Sequence, residues 1–154
     1  MDAAILVGSE SDMPVMEKCT DILKSFGVSH ELYIASAHRS PGRVRSLIEE
    51  ADKKGAKLFI AAAGLAAHLA GTVAAHTEKP VIGVPMEAGP LKGMDALLAT
   101  VQMPGGVPVA TVAIGSSGAK NAAYLAIRIL SLSDGKLAEK HRSFVKEMAE
   151  SAGR

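Results

Sequence analysis

Short apolar runs alternate with longer amphipathic ones along almost the whole chain, and this alternation constrains the fold more than any other feature. The apolar runs are 3–7 "AAILV", 30–35 "HELYIA", 57–62 "KLFIAA", 80–84 "PVIGV" and 108–114 "PVATVAI". Helix-like stretches lie between and after them, at about 12–26, 41–54, 66–76, 93–102 and 118–132, and a charged amphipathic segment at about 134–150 closes the series. The first helix shows its period plainly: Met13, Met16, Ile22, Leu23 and Phe26 share a stripe, and Gly27 is the stop. Ser11 or Asp12 can cap its start, and Pro14 is tolerated in the first turn. Strands that are apolar throughout are buried on both faces, as in a parallel sheet covered by helices. Five βα units in 154 residues fit an open doubly wound sheet, whereas a closed eight-stranded barrel needs more chain. The expectation is one α/β domain over 1–154, with a sheet-and-helix core over 1–132 and a C-terminal helix over 134–150.

Composition removes several classes of function. The 17 basic and 16 acidic side chains nearly cancel, whereas nucleic-acid binders usually carry a marked basic excess. One cysteine excludes an internal disulfide and a cysteine-rich metal site. Cys19 falls among Val15, Met16, Ile22, Leu23 and Phe26 at helical spacing and reads as a packing residue. No apolar run approaches the roughly 20 residues that span a bilayer. The acidic Met1-Asp2 start and the short "AAILVG" run do not make a secretory leader, so a soluble, cytoplasmic protein is expected. Aromatics are only 3% while alanine and glycine abound, which suits close helix–sheet or subunit packing.

In an open parallel sheet, ligands bind beyond the carboxyl ends of the strands, so the residues that follow each strand matter most. After the first comes "GSESD", Gly8 to Asp12. A glycine turn entering a helix offers free N–H groups to an anion, Ser9 and Ser11 add hydroxyls, and Asp12 can hold a ribose diol. An ordinary helix cap is an equally good reading of this stretch alone. After the second comes "SAHRSPG": Ser36 supplies a hydroxyl, Arg39 a forked cation for phosphate, and His38 a group able to give and take protons near neutrality. A solvated polar loop is the competing reading. After the third comes "AAAGLAAHLAG", an uncharged small-residue loop in which a ligand can approach backbone amides; His68 there reads either as structural or as part of the site. The stretches after the fourth and fifth strands are "PMEAGPLKGMDAL" and "GSSGAKNAA". The latter is not a nucleotide P-loop, because Gly118-Ala119-Lys120-Asn121 breaks G-x-x-x-x-G-K-[ST]. No His, Asp or Glu set has metal-ligand spacing, so no metal is expected. His30, His76 and His141 lie away from these ends and are assigned no chemistry. The inventory fits a phosphorylated ribosyl compound undergoing proton transfer.

Several motifs in order resemble one family, the carboxylases and mutases of aminoimidazole ribonucleotide in purine biosynthesis. They are "GSESDMPVM", "SAHRSP", "GLAAHLAG", "KPVIGVP", "MDALLATVQMPGGVPVATVAIG" and "AKNAAYLAIRIL", spanning about residues 3 to 132. The resemblance implies a flavodoxin-like three-layer α/β/α sandwich with a five-stranded parallel sheet, assembled as a homo-octamer. The C-terminal helix is then expected to pack on a neighbouring subunit. It implies a small ribonucleotide substrate, a CO2 intermediate, and no cofactor, metal, nucleic acid or membrane. By motif, Ser9, Ser11, Asp12, Ser36 and Arg39 match substrate-binding positions and His38 the catalytic histidine. Gly64, Leu65, Ala66, His68 and Leu69 match the loop that cups the aminoimidazole and its carboxylate. The "AAHL" at 66–69 resembles the class that rearranges N5-carboxyaminoimidazole ribonucleotide to the 4-carboxy isomer. Direct carboxylation of aminoimidazole ribonucleotide is the alternative, and a flavodoxin-like binding or signalling module a more distant one. Leu65 and Ala62 stand where the family has glycines, Ala70 where it has a proline, and Ser40 where it has a threonine. The loop changes are expected to reshape the carboxylate pocket.

Overall fold

The computed structural model describes residues 1–153. Five strands, β1 (Ala3–Val7), β2 (His30–Ile34), β3 (Leu58–Ala63), β4 (Val81–Pro85) and β5 (Ala110–Thr111), form one all-parallel sheet in the order β2-β1-β3-β4-β5. The helices are α1 (Met13–Phe26), α2 (Pro41–Lys53), α3 (Leu69–Ala74), α4 (Met94–Val101), α5 (Gly115–Leu130) and α6 (Gly135–Ala152). This is the flavodoxin-like three-layer sandwich expected.

The strand residues alternate between two cores, since successive side chains point to opposite faces. Ala3, Ile5, Val7, Leu58, Ile60, Ala62, Ile82 and Val84 pack against α1 and α5, chiefly on Met16, Cys19 and Leu23 and on the alanine-rich face Ala119, Ala122, Ala123 and Ala126. Ala4, Leu6, Phe59, Ala61 and Val81 pack against α2 and α3, on Val44, Leu47, Ile48, Leu69 and Val73. Cys19 lies inside the first core, where burial pushes its thiol up to about 12, so it is a packing residue, as the helical spacing implied.

Boundaries follow local chemistry. Gly27 ends α1 in the left-handed conformation (φ 78°), and Pro14 and Pro41 sit in the first turns of α1 and α2, where their missing N–H groups cost nothing. Strand β5 keeps only two residues of the seven-residue run at 108–114, pairing Ala110 with Ile82 and Thr111 with Gly83. It is an edge strand, and Pro108 has no N–H to extend the ladder.

Helix α6 is capped by Asp134, whose side chain accepts from the N–H groups of Lys136 and Leu137 at 3.0 Å. Its stretch up to Phe144 docks on its own chain: Phe144 stacks on Tyr124 (centroids 4.9 Å apart), meets Phe26 edge-on, and Lys140 donates to the Ser25 carbonyl. The far half leaves Val145 and Met148 exposed. Among the described residues, no helix is long and apolar enough to cross a membrane.

Candidate functional site

The strand order places a crevice between β1 and β3, where the connections leave the sheet in opposite directions, and ligands bind at such a point in open α/β sheets. A cleft of about 450 Å³ opens there. The segment after β1 contributes Gly8, Ser9, Ser11 and Asp12; the segment after β2 contributes Ser36, Ala37, His38 and Arg39; the segment after β3 contributes Ala63, Gly64, Leu65, Ala66, His68 and Leu69. All eleven residues singled out from the sequence thus line one cavity.

Each segment is shaped by its own hydrogen bonds. After β1, a single 3-10 turn, Glu10–Asp12, is capped by Ser9, whose Oγ accepts from the Ser11 N–H and from the Ser11 hydroxyl at 2.9 Å. The Ser9 O–H is left to donate outward. Asp12 stands at the N-terminal boundary of α1 yet makes no capping hydrogen bond. The capping alternative for this stretch therefore belongs to Ser9, and the Asp12 carboxylate is left facing the cleft. Burial raises the Asp12 carboxyl above its ordinary value, opposed by a hydrogen bond from Ser11. After β2, the Ser36 carbonyl accepts from the N–H and the hydroxyl of Ser40, and the Ser36 Oγ accepts from the Arg39 N–H at 3.2 Å. This turn projects His38 and Arg39 before Pro41 begins α2. The Arg39 guanidinium reaches the Gly8 carbonyl at 3.4 Å, a long contact that leaves most of its donor fork for an anion.

Two of the lining residues form a histidine pair. His38 Nε2 lies 2.7 Å from His68 Nδ1, with the rings 4.7 Å apart and inclined at 67°. A bond between two imidazoles needs one donor N–H and one acceptor lone pair, so the pair holds a proton between its rings in one tautomeric sense. His68 thus lines the cleft in contact with His38. By contrast His30 and His76 bond backbone carbonyls, and His141 packs beside Phe26 and Phe144.

Of the single-residue departures named above, Leu65 faces the cleft. Ala62 is fully buried in β3, and Ala70 is a buried residue of α3. Ala88, not among the residues expected from the sequence, lines the same cleft from the segment after β4. The rule that ligands meet strand ends pointed to that segment, but alanine carries no chemical signature. Among the described residues, no group of three His, Cys, Asp or Glu side chains is placed to hold a metal ion.

Comparison with known proteins agrees with the topology. The AIR carboxylase family matches residues 2–151. A Pyrococcus horikoshii protein named N5-carboxyaminoimidazole ribonucleotide mutase is 50% identical over 144 residues, which make up 94% of this chain and 80% of that protein. A Candida albicans protein named phosphoribosylaminoimidazole carboxylase is 57% identical over 132 residues, 86% of this chain but 23% of the fungal one. The crystal structure of Treponema denticola PurE superposes with a TM-score of 0.89 at 34% identity, covering 97% of this chain and 92% of that one. A family match across nearly the full length, relatives about half identical, and a shared fold lead to one conclusion: the chain belongs to the AIR carboxylase family.

Proposed function

We propose that the chain is an N5-carboxyaminoimidazole ribonucleotide mutase that produces the 4-carboxy isomer, with His38 as the proton carrier. The observation that carries this reading is the His38–His68 pair in one cleft with phosphate-type donors and small apolar residues. Ser9, Ser11, Ser36 and Arg39 supply hydroxyl and guanidinium donors for a ribose phosphate, and Asp12 an acceptor for ribose hydroxyls. Ala63, Gly64, Leu65, Ala66 and Ala88 supply the apolar wall for a neutral, linear molecule.

The chemistry balances without a further reactant. Protonation of N5 by His38 breaks the N5–carboxylate bond and releases CO2 beside the ring. The enamine carbon C4 then attacks CO2, forming the new C–C bond and a tetrahedral carbon. Neutral His38 removes the C4 proton, restoring the aromatic ring and its own charge. Backbone amides at the start of the Gly64–Leu69 loop, outside the two turns that occupy the Ala67 and His68 N–H groups, can stabilise the new carboxylate.

Direct carboxylation of aminoimidazole ribonucleotide is the second reading, favoured by the name of the Candida relative, most of which lies outside the match. The two separate on substrate. Turnover of the N5-carboxy nucleotide, with none of aminoimidazole ribonucleotide at ordinary bicarbonate, is expected; the reverse result would sink the mutase assignment.

Arg39→Ala is expected to raise KM by about 10- to 100-fold, the scale of a hydrogen bond to a charged group, with kcat changed far less. An unchanged KM in steady-state kinetics would remove Arg39 from phosphate binding.

The protein is read as a cytoplasmic homo-octamer. Leu91, Met94, Leu98 and Val101, each 47–60% exposed, follow helical spacing along α4 and its approach, and such a stripe suits a neighbouring copy. The exposed far half of α6 supports the same reading. A monomeric mass by light scattering would remove it.

A further inference from the structure

Leu65 holds a position in this chain that its side chain makes unusual. Its backbone is left-handed (φ 55°), one of two non-glycine residues with positive φ among those described. Immediately after it, two tight turns follow in succession: the Ala67 N–H donates to the Leu65 carbonyl at 2.8 Å, and the His68 N–H to the Ala66 carbonyl at 2.7 Å. The conformation of Leu65 therefore sets where His68 stands, and with it the bond to His38.

The Leu65 side chain does not turn into the core. It is 52% exposed, lines the cleft, and lies across the bare backbone of Gly89, where a Cβ would sit 2.7 Å from Leu65 Cδ2. One residue earlier the relation is reversed: a Cβ on Gly64 would sit 2.9 Å from the Ala88 Cβ. Two glycines, one on each loop, thus receive a side chain from the other. This interlock joins the β3–α3 loop to the β4–α4 loop along the cleft that the histidine pair also lines. A glycine at 65 would keep the backbone turn but leave the rim open above Gly89.

We infer that the Leu65 side chain, seated on Gly89, is the rim that retains CO2 in this chain and so determines how much of it escapes between release from N5 and capture by C4. The inference rests on the proposed mutase reaction. CO2 is neutral and has no charge by which donors could hold it, so its retention depends on closing the apolar side of the cleft. The Leu65 side chain supplies that closure between loops that otherwise meet through glycine and alanine.

The test compares wild type with Leu65→Gly and Leu65→Ala. Glycine takes φ 55° freely, while alanine keeps a Cβ on the same turn; both remove the group that covers Gly89. Each protein converts purified N5-carboxyaminoimidazole ribonucleotide in buffer containing 13C-bicarbonate and carbonic anhydrase. Label in the 4-carboxy product and loss to aminoimidazole ribonucleotide are read after subtracting the enzyme-free loss. Both variants are expected to raise label incorporation per turnover by about tenfold or more, tenfold being the lower end of the scale for a single methylene of an apolar pocket. Label equal to wild type in both variants would overturn the inference. So would an increase confined to Leu65→Gly, which would assign the effect to loop freedom. A wild-type protein that does not convert the N5-carboxy nucleotide removes the mutase reading itself and the inference with it.

Discussion

His38→Asn is expected to lower kcat by about a thousandfold, within the 10²–10⁴ range of a positioned acid–base group, while KM for the nucleotide stays within a few-fold of wild type. Asparagine preserves a planar polar group at the position of the ring's Nδ1 edge. Its amide stops short of the place of Nε2, so the 2.7 Å contact to His68 is given up, while the backbone turns that shape both loops are untouched. What it cannot do is deliver a proton to N5 and then accept one from C4. The His38 side chain is exposed in the cleft and packs into neither core, so the variant should unfold at the wild-type temperature. Steady-state kinetics beside thermal unfolding give both readouts. Near-normal turnover in a folded variant would refute the proton-carrier role and leave His68 as the group to interrogate.

That second histidine shows where sequence reading stops. Strand and helix order were legible because each strand is a short apolar run and each helix carries a periodic stripe; Gly27, Pro14 and Pro41 then marked boundaries by known backbone chemistry. The cleft was legible for a different reason. Parallel order places every strand's carboxyl end on one edge, so "GSESD", "SAHRSPG" and "GLAAHLAG" had to converge once the sheet was recognised. The contact between His38 and His68 could not be read, since 30 residues separate them and the loop before His68 is shaped by two consecutive tight turns. The same turns explain why α3 begins at Leu69 although the helix-like pattern starts at 66. Leu65 was visible as a departure from a glycine, but its left-handed backbone and its seat on Gly89 exist only in three dimensions.

The glycines of "GSSGAKNAA" complete the contrast, and Gly118→Ala is the stability change with the largest expected effect. None of this stretch lines the described cleft. Gly118 lies in the first turn of α5, fully within the packing, where an added Cβ would sit 1.7 Å from the Ala113 carbonyl oxygen and 3.3 Å from Val84 Cγ1. A side-chain tip can rotate away from such an overlap, but a carbonyl on the link between β5 and α5 cannot move without shifting the strand or the helix. Alanine is ordinarily the better helix former by about 1 kcal/mol, so propensity alone predicts stabilisation. The overlap reverses that sign: the expected loss is about 3 kcal/mol or more, the upper range of overpacking changes. The alanine face of α5 that follows, Ala119, Ala122, Ala123 and Ala126, packs on the same core, so displacement at 118 propagates along the helix. Chemical denaturation measures the effect directly; a variant as stable as wild type would show that the β5–α5 link yields at no cost. Gly118, within a stretch that imitates a phosphate loop in sequence, thus lets the helix sit close against the sheet.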